Sequence, residues 1–355
     1  MNSFGTLFKV EIFGESHGVG VGVVLDGCPA GIALQKEDFE EDLARRRSGA
    51  LGTTPRSEKD APALVSGVYR GKTTGAPLCI YFANENIHSA DYGDFQAVPR
   101  PGHADFVAQI KYGGFADMRG SGHFSGRLTL GLVAAGVVAK KVLQAELGKV
   151  KFCTRITEAG GQQDVAAAVA AATADGDSVG AVVETCVSTL PAGLGQPFFD
   201  SCESTIAHIL FSIPGIRGVE FGDGFAAARM RGQQHNDPFV DAAGHTAKNG
   251  AGGINGGITN GNDLVLRVAF KPTSSIFKPQ ETFDFVQNKP TTLQIRGRHD
   301  ACIALRGAVV VEDAVAIALA DLFLLARATS PFLTQPEPLS QTGAENSNSL
   351  FRSST

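Results

Sequence analysis

The chain has 355 residues, 43 of them glycine, which is about 12% where roughly 7% is usual, and 43% of all residues are hydrophobic. Collagen is excluded because there is no Gly-x-y period, and a wholly disordered chain is excluded because the aliphatic content suffices for a core. A formal net charge of −5 argues against a protein that coats nucleic acid or an anionic membrane, so any anion site must be local.

Residues 8–13 and 19–25 carry alternating or β-branched side chains between glycines and predict strands that meet in an antiparallel sheet. Residues 35–47 open with Glu37, Asp38, Glu40, Glu41 and Asp42 and close on Arg45, Arg46 and Arg47, the charge order that a helix dipole favours, and predict a helix. Strand character returns over 64–69 and 78–83, and 84–103 reads as a long polar loop. Residues 127–147 and 308–327 are apolar nearly all round, which predicts two long buried helices with layers on both sides. Between them lie helix patterns over 165–174 and 201–211 and strand patterns over 179–188 and 264–270. Strands and helices do not alternate regularly enough for a doubly wound parallel sheet, so the expected class is α+β with antiparallel sheets. Residues 1–328 read as one domain, and 329–355, rich in Pro, Ser and Asn, as a flexible tail. Cys28, Cys79, Cys153, Cys186, Cys202 and Cys302 include no Cys-x-x-Cys pair and read as reduced. With no leader-like N-terminus and no uncharged run of about 18 apolar residues, a cytoplasmic protein without a membrane anchor is expected.

Two glycine clusters, 250–261 and 119–127, are dense enough to let backbone approach a ligand, and the second opens a predicted helix whose first amides favour anions. Neither is a P-loop or a dinucleotide fingerprint. The eight histidines lack His-x3-His or His-Glu-x-x-His spacing, so no metal site is expected. His17, in Gly14-Glu15-Ser16-His17-Gly18, and His103, in Arg100-Pro101-Gly102-His103-Ala104-Asp105, sit in loops as general acids or bases do, although a lone loop histidine is more often plain surface. Arg45 to Arg47, Arg119, Arg127, Arg296, Arg298 and Arg306 recur near these loops and would suit a small polyanion. Lys271-Pro272-Thr273-Ser274-Ser275 reads as a strand-to-loop phosphate or cofactor contact. These residues point to an enzyme acting on a small anionic metabolite and do not name the reaction. A flavin oxidoreductase using NAD(P)H and a non-catalytic anion-binding protein stay open beside it.

The five motifs at 14–18, 100–105, 252–257, 271–275 and 297–300, in that order, resemble the chorismate synthase family across roughly residues 5–328. The resemblance implies a β-α-β sandwich, with antiparallel sheets enclosing long helices, and a lyase that removes phosphate and a ring hydrogen from 5-enolpyruvylshikimate 3-phosphate in a 1,4-anti elimination. It implies reduced FMN as cofactor without net redox change, NADPH only indirectly through flavin reduction, an external flavin reductant and a homotetramer. Matched residue by residue, it implies His17, His103, Asp300, Ser16 and Ser125 as catalytic and Arg46, Arg127 and Arg306 as substrate-binding. Contacts to FMN are implied at His123, Phe124, Ser125, Pro214, Gly215, Gly256, Lys271, Pro272, Thr273, Ser274, Ser275 and Arg298, and an NADP contact at Arg46. Where many members read Gly-Arg-Ser-Ser-Ala-Arg, this chain has Gly122-His123-Phe124-Ser125-Gly126-Arg127, and Ala301 stands where Pro is common.

Overall fold

The computed structural model describes residues 2–54, 58–85, 95–295, 297 and 299–330. In chain order the strands are β1 (Ser3–Phe4), β2 (Lys9–Gly14), β3 (Gly20–Asp26), β4 (Ala63–Ser66), β5 (Val68–Tyr69), β6 (Lys72–Thr73), β7 (Leu78–Ala83), β8 (Lys151–Ala159), β9 (Ala181–Ser188), β10 (Ile216–Phe221), β11 (Ile254–Asn255), β12 (Ile258–Thr259), β13 (Leu264–Phe270), β14 (Gln280–Asp284) and β15 (Lys289–Leu293). The helices are α1 (Glu40–Arg46), α2 (Asp105–Tyr112), α3 (Thr129–Leu147), α4 (Val165–Ala174), α5 (Cys202–Leu210), α6 (Gly232–His235) and α7 (Ala304–Thr329). One antiparallel sheet runs in the order β1-β2-β3-β7-β4 and another in the order β10-β13-β9-β8, with short hairpins β5-β6, β11-β12 and β14-β15 beside them. The class is α+β, as the pattern predicts.

Four layers follow from what each element must bury. The first sheet lays β2 and β3 on α3, α3 packs on α7, and α7 covers β8 and β9 of the second sheet. Enclosed on both sides, α3 buries Val133, Val137, Val138, Val142 and Leu143, and α7 buries Val309 to Val311 and Val315 to Leu319. Each Val, Ile or Leu among them contributes about 1.5–3 kcal/mol by leaving water. Gly136 makes the helix contact possible, since a Cβ there would fall 2.2 Å from the Cβ of Asp313 on α7. The segment Gly126–Leu147 is long and apolar enough to cross a membrane by composition, yet it is the helix at the centre of this core. One cluster of buried side chains extends from Phe8 to Ala326.

Several boundaries differ from the predicted ones for local reasons. The helix predicted over 35–47 is a 3₁₀ turn, Lys36–Phe39, followed by α1. The strand over 64–69 breaks at Gly67, whose φ of +84° turns the chain between β4 and β5. The last helix begins at Ala304 and reaches Thr329, so the first residue of the predicted tail is helical, and 331–355 lie outside the described residues. Strand β8 and helix α2 were not predicted at all.

Candidate active site

Three arginines meet where α1, the start of α3 and the start of α7 converge. Arg46 is the last residue of α1 and 3% exposed. Its Nε donates to Thr129 Oγ1 at 2.9 Å and its Nη2 to the Gly126 carbonyl at 2.9 Å. Arg127 lies in the 3₁₀ turn that leads into α3, a turn capped by Ser125, whose Oγ accepts the Arg127 N–H at 3.3 Å. Its guanidinium donates to Asp60 Oδ1 at 2.9 Å, to the Ala83 carbonyl at 3.2 Å and to Asn84 Oδ1. The second oxygen of Asp60 stands 3.6 Å from Arg46 Nη1. Arg306, in the first turn of α7, donates from Nε to the Arg46 carbonyl at 2.9 Å and from Nη1 to Asp300 Oδ2 at 3.3 Å. Asp300 in turn accepts the Thr54 N–H at 2.7 Å. Three guanidiniums thus face two carboxylates. Burial first, and then repulsion from Arg306 and Arg127, push Arg46 down to about 9, a strain that a bound anion would relieve.

Ser16 and His17 turn out of β2 and are 1% and 6% exposed. The turn over 119–124 closes directly on them. Gly120 has φ +59°, and a Cβ there would lie 2.4 Å from His17 Cδ2 and 2.8 Å from Ser16 Oγ, so no other residue permits this approach. Ser16 N–H donates to the Gly122 carbonyl at 3.1 Å, and the Ser16 hydroxyl is buried without a hydrogen-bond partner. Asn84 joins this loop to the arginines: its Nδ2 donates to the Glu15 and Gly18 carbonyls at 3.0 and 2.8 Å while its Oδ1 accepts from Arg127.

The third part is the loop of His103. Arg100 and Asp105, both buried, form a two-pronged pair at 2.8 and 2.7 Å, and the Arg100 N–H also donates to Asp105 at 3.0 Å, which folds 100–105 back on the start of α2. Arg100 Nη2 donates to Ser121 Oγ at 3.0 Å and so ties this loop to the turn over His17. His103 Nε2 is 2.7 Å from Ser275 Oγ. Lys271 Nζ donates to the Gly102 carbonyl at 2.7 Å and to Ser274 Oγ at 2.6 Å. Burial, then the positive charge of Arg100, push His103 down to about 3, with Lys271 and His299 acting in the same direction. Burial also lowers Lys271. Two runs of contacts thus form an open circuit: one leads from the His17 loop through Asn84, Arg127, Asp60, Arg46 and Arg306 to Asp300, and the other from His103 through Arg100 and Ser121 to the turn over His17, with His299, next to Asp300 in sequence, acting on His103 by its charge.

Of the predicted residues, His17, Ser16, His103, Asp300, Arg46, Arg127, Arg306, Lys271, Ser274 and Ser275 lie on or beside this circuit. The NADP contact implied at Arg46 falls on that same buried guanidinium. Gly215 accepts the Lys271 N–H at 2.8 Å, next to Pro214, and the Thr273 carbonyl accepts from Ser178 Oγ at 2.6 Å. Pro272 packs by Gly180, and the Thr273 hydroxyl is buried without a hydrogen-bond partner. Other predicted residues stand apart. His123 and Phe124 contact each other, with centroids 4.2 Å apart, and Tyr112. Gly256 turns the β11-β12 hairpin, and its glycine-rich neighbours approach the chain's own Gly222, Asp223, Asp263 and Ser201. Among the described residues no hydrogen bond joins that hairpin to the circuit. Arg296 and Arg298 lie outside the described residues.

Asp60 and Asn84 are central to the circuit, and sequence reasoning assigned them nothing. Asp60 stands in no motif, and its φ of +49°, rare for a residue other than glycine, is the local mark of its position between two guanidiniums. Asp105 stood in a quoted motif, and its distance of five residues from Arg100 was the available signal.

A chorismate synthase family model matches residues 8–324. A chorismate synthase of Chitinophaga pinensis is 59% identical over 325 residues, covering 92% of this chain and 97% of that protein. One of Dehalococcoides mccartyi is 45% identical over 353 residues, covering 92% and 97%. A crystal structure of chorismate synthase superposes with a TM-score of 0.69 at 26% identity, covering 90% of this chain and 93% of that one. Five motifs in order, a shared four-layer fold and near full-length identity at this level leave one conclusion: the chain belongs to the chorismate synthase family.

Proposed function

We propose that the circuit around His17, Asp300 and the three arginines is where this chain carries out the reaction of its family, the 1,4-anti elimination of phosphate from 5-enolpyruvylshikimate 3-phosphate to give chorismate. The observation that carries this reading is the surplus of positive charge: among the described residues Arg46, Arg127 and Arg306 share only Asp60 and Asp300, and Arg46 is already pushed down to about 9. A substrate with one phosphate and two carboxylates supplies the missing negative charge and is held in one orientation by planar guanidinium forks. A reduced flavin fits the facing side by its donor set, the ammonium of Lys271 with the hydroxyls of Ser274, Ser275 and the unpartnered Thr273.

Reduced FMN, when bound there, supplies the electron density that helps expel phosphate. His17, under Gly120 and beside the Ser16 hydroxyl, holds a proton where leaving-group charge develops. Asp300, held in place by Arg306 and the Thr54 amide, serves as the base. His103 is neutral at pH 7 and, through Ser275, positions the cofactor rather than titrating. Ser125 holds the Arg127 turn. The finer contacts at His123, Phe124, Gly256 and Arg298 belong to the same proposal, as do a homotetramer, an external flavin reductant that draws on NADPH only indirectly, a cytoplasmic location and a single catalytic unit over residues 1–328.

The test is an anaerobic assay of the pure, folded protein with substrate and chemically reduced FMN. Phosphate and chorismate are expected in equal amounts with no nicotinamide consumed. Absence of phosphate release, or oxidation of NADPH in proportion to product, would overturn the reading.

A further inference from the structure

On the outer face of the second sheet, away from the circuit, two cysteines stand directly opposite one another. β8 is the edge strand of that sheet, and its Cys153 is the antiparallel register partner of Cys186 on β9. Side chains so placed share one face with Cβ atoms about 4.5–5.5 Å apart. The neighbouring rungs behave accordingly: Thr154 and Thr185 hydroxyls meet at 2.9 Å, and Arg155 reaches Glu184 at 2.8 Å on the cysteines' own face. Both thiols are free, Cys153 exposed and Cys186 half-buried. Opposed Cα atoms in antiparallel pairs are about 4.5 or 5.5 Å apart, inside the range of about 4.4–6.8 Å that a disulfide spans. The usual Cβ spacing of a disulfide, about 3.5–4.5 Å, is shorter than the ladder's, so the bond would strain the sheet and be easily reduced.

The two thiols are not equivalent. Burial first, then the Asp263 carboxylate, whose Oδ2 is 3.8 Å from Cys186 Sγ, push Cys186 up to about 11. It is the slower of the two to attack a reagent from solution, so Cys153 on the open edge reacts first and Cys186, held opposite it, is left to resolve the mixed disulfide. The other four cysteines have no cysteine across the ladder: Cys28, Cys202 and Cys302 are buried, and Cys79, on β7, faces Val24 and Ser66.

We propose that Cys153 and Cys186 form a reversible dithiol site on the solvent face of this sheet, whose co-substrate is a low-molecular-weight disulfide of the glutathione class. The Cys153 thiolate attacks one sulfur of the reagent, whose S–S bond breaks and releases one thiolate, which takes up a proton. Cys186 then loses its proton to solvent, attacks the Cys153 sulfur and expels the second thiolate. Two protein thiols are oxidised to one disulfide, and one reagent disulfide is reduced to two thiols.

The full chain is incubated with oxidised glutathione, and its thiols are titrated and its peptides mapped without reduction. Two of the six thiols should disappear, a peptide linking 153 to 186 should form within one chain, and dithiothreitol should restore both. Cys186→Ser should instead accumulate one stable glutathionyl adduct at Cys153, and Cys153→Ser should retain all its remaining thiols, with circular dichroism confirming that each variant is folded. Persistence of the adduct at Cys153 in the unmodified protein, a link between two chains, or loss of thiols elsewhere would overturn the proposal.

Discussion

Asp60 shows how a single side chain can set the charge of a site. It is the only carboxylate between Arg46 and Arg127 among the described residues, and all three groups are nearly fully buried. Asp60→Ala leaves two desolvated guanidiniums facing each other, a change that typically costs about 3–5 kcal/mol. Denaturant unfolding should show a loss of that order, partly restored by inorganic phosphate, and an unchanged midpoint would contradict the assignment. His103 gives a pH signature. Because the fold holds it at about 3 against an ordinary 6.5, the unfolded chain takes up the proton first. Its contribution to stability is therefore complete above pH 6.5 and is lost as pH falls from there towards 3. His103→Asn should flatten the fall in unfolding free energy across that window, and a slope identical to the parent's would refute the neutral, buried imidazole. The residues legible in the sequence were those in glycine- and proline-bounded polar loops, such as His17 and His103. Asp60 was not legible because its partners come from 67 residues or less along the chain but from different elements, α1 and the α3 turn, and only the fold brings them together.

At the scale of elements, α3 and α7 were readable because helices buried on every side leave no polar stripe. β8 was not, because its outer face carries Lys151, Arg155 and Glu158, which interrupt the apolar run that would mark a strand. Helix α2 inverts the usual pattern: it buries Asp105 against Arg100 while Phe106, Val107 and Ile110 face outwards. The glycine excess also divides by element. Gly120 lets its turn close on His17 and Ser16, the glycines of the β11-β12 region approach other parts of the chain's own backbone, and Gly136 lets two core helices touch. Gly136→Ala should cost about 1–3 kcal/mol by overpacking against Asp313, while turnover per folded molecule stays near that of the parent. Thermal unfolding checks the first part and active-site titration the second; equal stability would mean that the helices can separate without cost.

For the molecule as a whole, the four layers explain why a site can assemble from residues so distant in sequence. The α3–α7 contact is the shared floor from which Arg127 and Arg306 emerge, while the first sheet delivers His17 and the end of β13 delivers Lys271. The layered α+β architecture was legible from the two buried helices and the antiparallel strand patterns. The closure of the site was not, since it depends on loop-to-loop contacts such as Arg100 with Ser121 and Asn84 with Gly18, which have no local signature. The most direct test of the central claim is single-turnover phosphate release under anaerobic conditions with reduced FMN, comparing the parent chain with His17→Ala and Asp300→Asn. Each variant should release phosphate at least about 100-fold more slowly, the scale of a lost general acid or base, while its affinity for substrate, held by the three arginines, stays within a few-fold. Release at the parent's rate in both variants would contradict the claim.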